Sequence, residues 1–236
     1  MFDQAEFEVR CEWGLQGILQ LAPISDVLVI VDVLSFSTCV EIAVRRGAAI
    51  FPYRWKDESA QAFAASMDAE VAGQRQESRY SLSPASLLSI QPGTRLVLPS
   101  ANGARLSLAA AGTPTLAGCL RNCRAIATAA QTYGQRIGVI PAGERWPDGS
   151  LRPAFEDLVG AGAVISYLEG DWSPEAQLAV AAYRHVQQAL PALMAQCGSG
   201  QELIGRGFAQ DVALAAELDV SPCVPSLIDG AYRDAS

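Results

Sequence analysis

The chain predicts an α/β fold: three layers, α/β/α, around a mainly parallel sheet. Two observations carry this. Apolar, β-branched runs alternate with helical patterns along most of the 236 residues. A polar turn follows several of those runs, where open parallel sheets hold their ligands. Residues 26–47 show both features most clearly. Val27 to Val33 is apolar on both faces, apart from Asp32, and reads as a central buried strand. Ser35-Phe36-Ser37-Thr38 forms a hydroxyl-bearing turn, a helix follows, and Gly47 stops it after Arg45-Arg46. A carboxylate and three hydroxyls thus gather at a helix N-terminus, which favours anions.

The other elements follow in order. Residues 7–13 alternate and read as an antiparallel or edge strand, and residues 14–23 as a connection. Ala48–Tyr53 is a strand, and Asp57-Glu58-Ser59 opens a helix to about Met67. Glu70–Ala72 is a short strand, and residues 73–92 are irregular, a surface excursion or an active-site loop. Regular alternation returns with strands at 95–99, 115–117 and 136–140 and helices at 104–111 and 121–133. Glu144 to Pro153 reads as a loop. Helices then dominate: 155–168, 173–188, 190–196 and 201–218. A last short strand at 223–228 precedes the tail. One domain over residues 1–236 suffices, and a two-lobe arrangement stays open.

Composition narrows the function. Half the residues are hydrophobic, and 17 Lys and Arg stand against 25 Asp and Glu, giving a net charge of −8. An acidic chain is a poor candidate for non-specific nucleic-acid binding. The opening residues 1–6 are acidic and lack an apolar run, so no signal peptide is expected, and no stretch is long enough to span a bilayer. Six scattered cysteines without a Cys-x-x-Cys pair point to reduced thiols and a cytoplasmic protein rather than a zinc site. His185 is the sole histidine and sits in a helical segment, which argues against Ser-His-Asp triads and histidine metal sites. Cys39 and Arg45 have a cysteine-phosphatase spacing, but the residues between them carry no glycine to wrap a phosphate.

What remains is a set of polar turns at strand ends: Asp32 with Ser35, Ser37 and Thr38; Ser100, Asn102, Gly103 and Arg105; Arg121 with Asn122; Gly143 with Glu144. Arg105, about a turn into its helix, could clamp an oxyanion or form a surface ion pair. Glu156 and Asp157 open the next helix, pointing about 100° apart, so one could reach the site while the other caps or positions a water. Carboxylates with amide and hydroxyl oxygens suit a hard cation such as Mg²⁺.

At these residues the chain resembles the 2-phosphosulfolactate phosphatase family, the ComB family of coenzyme M biosynthesis. The matching stretches are 29–38, 96–105, 117–122, Ala142-Gly143 with Phe155-Glu156-Asp157 and Ala161-Gly162, and 207–212 with Val224-Pro225. Each is short, but all fall in the family's order. The resemblance implies Mg²⁺-dependent hydrolysis of (2R)-2-phospho-3-sulfolactate to 3-sulfolactate and phosphate. It places Asp32, Glu156 and Asp157 as catalytic or metal-binding groups. Ser35, Ser37, Thr38, Ser100, Asn102, Gly103, Arg105, Asn122 and Gly143 would contact a small phosphorylated, sulfonated or carboxylated substrate. There are departures. The family commonly has Arg where Ser35 stands, and two hydroxyls of its Asn-Gly turn are methyls here, at Ala101 and Ala104. The alternative is a non-catalytic or divergent phosphometabolite-binding protein on the same scaffold. No nucleic-acid or membrane partner is expected, and the long helices leave homodimer formation open.

Overall fold

A computed structural model describes residues 4–55, 57–110 and 112–236. Residues 1–3, part of the acidic opening, and Ala111, the last residue of the helix predicted over 104–111, lie outside the described residues. The chain runs β1 (Val9–Cys11), α1 (Gly14–Leu21), β2 (Val27–Val31), α2 (Phe36–Arg45), β3 (Ala49–Tyr53), α3 (Glu58–Ser66), β4 (Glu70–Val71), α4 (Pro84–Leu87), β5 (Arg95–Pro99) and α5 (Gly103–Ala109). It continues β6 (Thr115–Gly118), α6 (Cys123–Tyr133), β7 (Ile137–Pro141), β8 (Glu144–Arg145), β9 (Leu151–Arg152), α7 (Phe155–Ile165), α8 (Pro174–Val186), α9 (Leu190–Gln196), α10 (Gly198–Gly205), α11 (Ala209–Ala215), β10 (Pro225–Ile228) and β11 (Ala231–Asp234).

Nine strands form one sheet in the order β1-β7-β2-β6-β10-β11-β3-β5-β4. β1, β7, β2 and β6 are mutually parallel, as are β3, β5 and β4. The β10–β11 hairpin joins the two blocks by antiparallel pairing on both sides. The blocks therefore run in opposite senses along the sheet. Adjacent strands rotate by roughly 20–25°, so β2 and β5, five steps apart, end up crossing steeply. Their C-terminal ends then meet instead of facing opposite edges.

β2 shows why helices cover both faces. Val27, Val29 and Val31 pack with α6, α7 and α8, while Leu28 and Ile30 pack with α1 and α5. All five are buried, each burial worth roughly 1.5–3 kcal/mol. In the second block Ile50, Leu96 and Leu98 pack with α2, and Ala49, Phe51 and Val97 with the α3 side.

Several elements differ from the sequence reading: β11 forms in the residues read as the tail, and α4 forms within the irregular stretch 73–92. β1 is an edge strand, but it pairs parallel to β7. Residues 14–21 form a helix despite Gly14 and Gly17. The predicted helix over 201–218 is two, broken at Gly207, whose φ of +89° lies in the left-handed region. The loop from Glu144 holds the β8–β9 hairpin, with Glu144 opposite Arg152. No helix among the described residues is long and apolar enough to cross a membrane.

Candidate active site

The site is built where β2, β5 and β7 end. Asp32 follows β2 and is buried. Its Oδ1 accepts from the backbone N–H of Ser35 (3.0 Å) and of Phe36 (3.1 Å), capping α2. Its Oδ2 accepts from Gly103 N–H at 2.9 Å, tying the β5 turn to the β2 turn. Only glycine fits there: a Cβ on Gly103 would lie 2.3 Å from Phe36 Cδ1. The cap and the cross-link are thus both functions of one carboxylate.

Asp157 makes the matching link on the other side. Its Oδ1 accepts from Val33 N–H and its Oδ2 from Gly143 N–H, both at 2.8 Å, joining the ends of β2 and β7. Gly143, at φ +68°, has Leu151 and the Arg152 carbonyl against it. Glu156, its neighbour on α7, points elsewhere, to Cys197. Glu144, first residue after the β7 turn, accepts from Asn102 Nδ2 at 3.0 Å. Together these bonds hold three carboxylates, Asp32, Asp157 and Glu144, around the junction of three strand ends, with Glu156 buried beside Asp157.

Their electrostatics follow from burial and proximity. Burial pushes Asp32 above the usual carboxylate range, with Glu156 adding to the effect, against three backbone N–H groups that pull it down. Asp157 is pushed up by burial, Asp32 and Glu156. Burial and Asp32 push Glu144 up to about 7. Among the described residues none of the four forms an ion pair, and Arg152 only partly offsets the rise at Glu144, so the cluster favours protons or a cation.

A cavity of about 470 Å³ opens over it, lined by Asp32, Ser35, Ser100, Asn102 and Glu144 on one side. Arg75, Ser199, Arg206 and Phe208 line the other. Arg75 is fixed in place: Nη2 donates to Ser35 Oγ at 2.6 Å, Nε donates to the Leu82 carbonyl at 2.8 Å, and the guanidinium lies 4.9 Å over the Phe208 ring. Asp211 Oδ2 lies 3.8 Å from Nη1.

Asp32, Ser35, Ser100 and Asn102 are therefore gathered at the cavity, with Gly103, Gly143, Glu156 and Asp157 around it. Ser37 and Thr38 are not at its wall. Both are fully buried: Ser37 Oγ donates to the Ile30 carbonyl and Thr38 Oγ1 to the Val33 carbonyl, bracing the turn from beneath. Asn122 is also buried, its amide donating to the Ala117 and Cys223 carbonyls and its Oδ1 accepting from Cys119 N–H. Arg121 pairs with Glu41 (2.5 Å) and Glu217, away from the cavity. Arg105 lines neighbouring cavities on the outer side of the Ser100–Asn102 turn. Glu144, grouped with Gly143 among the strand-end turns, falls on the cavity wall, and Arg206 is an addition. Glu144 had a signal in the sequence, an acid directly after a strand-end glycine, whereas Arg206 had none.

All six cysteines are free; five are buried, and burial pushes thiols such as Cys11 and Cys119 up to about 12, so none offers a thiolate nucleophile. His185 is exposed on α8. Carboxylates, hydroxyls and arginines thus meet at one polar cavity at converging strand ends, with no histidine or cysteine on its wall.

The family model described as 2-phosphosulpholactate phosphatase matches residues 17–230, and the chain belongs to that family. The description is that of a phosphoric monoester hydrolase. A curated relative from Methanothermobacter thermautotrophicus, named 2-phosphosulfolactate phosphatase, is 30% identical over 138 residues, 58% of this chain. The chain spans 58% of that relative's length.

Proposed function

We propose that the protein is a Mg²⁺-dependent phosphomonoesterase that hydrolyses (2R)-2-phospho-3-sulfolactate to 3-sulfolactate and phosphate. The supporting observation is Asp32 and Glu144 on the wall of one polar cavity, with Asp157 and Glu156 buried behind it, in a chain of this family.

The donor set has the hard oxygens that Mg²⁺ takes. No three His, Cys, Asp or Glu side chains converge as a complete ligand set among the described residues. That fits an ion held by one or two carboxylates and completed by water and phosphate oxygens. Asp32, which lines the cavity, would hold it; Asp157, whose oxygens are likewise on turn amides, lies behind the wall. When bound, the ion would neutralise charge on the phosphoryl group.

The chain's own groups supply the rest. Ser35, Ser100 and Asn102 present hydrogen-bond donors at the cavity wall, and Arg206 adds positive charge. Asn102 holds Glu144 in place, and at a pKa of about 7 Glu144 keeps a proton to give to the departing alkoxide. The burial that lifts Glu144 thus produces an acid usable near neutral pH.

The test is phosphate release from 2-phosphosulfolactate and a panel of small phosphomonoesters, with Mg²⁺ and with EDTA, by wild type and Asp32→Asn. Metal-stimulated release that Asp32→Asn lowers by at least a hundredfold is the expected outcome. Folded wild-type protein that releases no phosphate from any ester would leave the binding-protein alternative.

A further inference from the structure

A second cavity, about 450 Å³, lies on the outer side of the Ser100–Asn102 turn. Gly73, Leu82, Ser100 and Ala101 line both it and the Asp32 cavity, so the two adjoin. Three arginines from separate strand ends line it: Arg54 after β3, Arg105 on α5 and Arg145 on β8. Elsewhere arginines at functional or core positions meet carboxylates, as Arg75, Arg121 and Arg206 do. Among the described residues, Arg54, Arg105 and Arg145 form no ion pair. Arg54 lies over the Trp55 ring at 4.3 Å instead.

Three uncompensated guanidiniums on one cavity repel one another, in a chain whose net charge is −8. No acidic residue among those described lines the cavity, and Arg54 and Arg145 are exposed, so an anion arriving from solvent can reach them. Next door, Asp32, Glu144 and Glu202 line the Asp32 cavity beside Arg75 and Arg206, so an anion there meets acids as well as arginines. An extended ligand with acid groups at both ends satisfies both halves. We propose that the arginine cavity holds the second acidic group of the substrate, a sulfonate or carboxylate, while the phosphate sits at Asp32. The proposal rests on the phosphatase reading above and names the residues that select its substrate. A sulfonate presents three oxygens to three guanidiniums, each a charge-assisted acceptor. Arg54 and Arg145 are then specificity residues.

Two measurements test this. The first is calorimetric binding of 3-sulfolactate, which carries the acidic tail without the phosphate, to wild type, Arg54→Ala, Arg145→Ala and the corresponding Lys variants. Wild type is expected to bind more weakly as salt rises, each Ala variant to bind at least tenfold more weakly, and the Lys variants to fall between. The second compares kcat/KM for 2-phosphosulfolactate and for phenyl phosphate, which has no second acid. The Ala variants should lower the first at least tenfold more than the second, mainly through KM. Folded variants that bind sulfolactate like wild type, or that lose both substrates equally, overturn the proposal and leave the phosphatase reading standing. Absence of phosphate release from every ester overturns that reading, and the calorimetry still decides on the cavity.

Discussion

Glu144→Gln should stabilise the metal-free protein at alkaline pH and slow it as an enzyme. The free glutamate titrates near 4.5 and the folded one near 7. Between those values the folded state holds a proton that the unfolded chain has released. Stability from this group is therefore complete below about 4.5 and is lost as pH rises through 7. Each pH step in that window is worth about 1.4 kcal/mol, so the ceiling is about 3 kcal/mol. Partial exposure of the side chain reduces this to roughly 1–3 kcal/mol. Glutamine keeps the oxygen that Asn102 donates to and removes the charge. For a chain of this size the gain corresponds to about 2–10 °C in Tm. Thermal melts in EDTA at pH 5, 6, 7 and 8 measure it. The gap between variant and wild type should be small at pH 5 and widest at pH 8. Asp32 and Asp157, also pushed up, keep some slope in both proteins. A gap independent of pH, or a variant less stable at pH 8, would refute the reasoning. The same change should lower kcat by about 10²–10⁴ if Glu144 is the acid.

Three further substitutions probe the frame. Gly103→Ala drives a methyl into the Phe36 ring and breaks the approach to Asp32, so it should cost about 2–4 kcal/mol by urea denaturation and abolish most turnover. Asp157→Ala leaves the Val33 and Gly143 N–H groups buried without acceptors, a loss of roughly 2–5 kcal/mol that a lower urea midpoint at unchanged slope would register. Arg121→Met strands buried Glu41, whose Oε1 already has no partner, and should destabilise by about 3–5 kcal/mol; Glu41→Met added to it should recover most of that. A double variant no more stable than the single one would count against the pair's desolvation as the cause.

Much of the frame was legible because local chemistry determines it. An apolar run followed by a hydroxyl turn and an amphipathic pattern can only be a buried strand feeding a helix, and β2–α2 is that. Asn102-Gly103 before a helical pattern, and Glu156-Asp157 at a helix start, likewise fall around the cavity. Ser37 and Thr38 show the limit: position in a strand-end turn does not say which hydroxyls face solvent, and theirs face carbonyls beneath it. Asn122 fails similarly, because its partners include Cys223, about a hundred residues away. The helix at 14–21 was hidden by two glycines, and β8–β9 by strands of two residues each. Strand order was invisible, since pairing partners leave no local mark. The arginine cavity draws its three guanidiniums from residues 54, 105 and 145, and only the tertiary structure brings them together.

The β10–β11 hairpin has a consequence for how the chain folds. Leu116 waits 110 positions for its partner Ser226, and Ile50 waits for Tyr232, near the end of the chain. A chain arrested before residue 225 holds both parallel blocks with no strand between them. Each block then presents a bare edge, β6 in one and β3 in the other, of the kind that recruits strands from other molecules. Closing so long a loop late is slow, since rate falls with the sequence separation of contacts. Tyr232 also sets its ring against Phe36 and its hydroxyl against Ser107, on the two helices whose first turns hold Asp32 and Gly103. The pocket at the strand ends is therefore complete only once the last strand is in place, so truncation at the C-terminus and aggregation during synthesis share one structural cause.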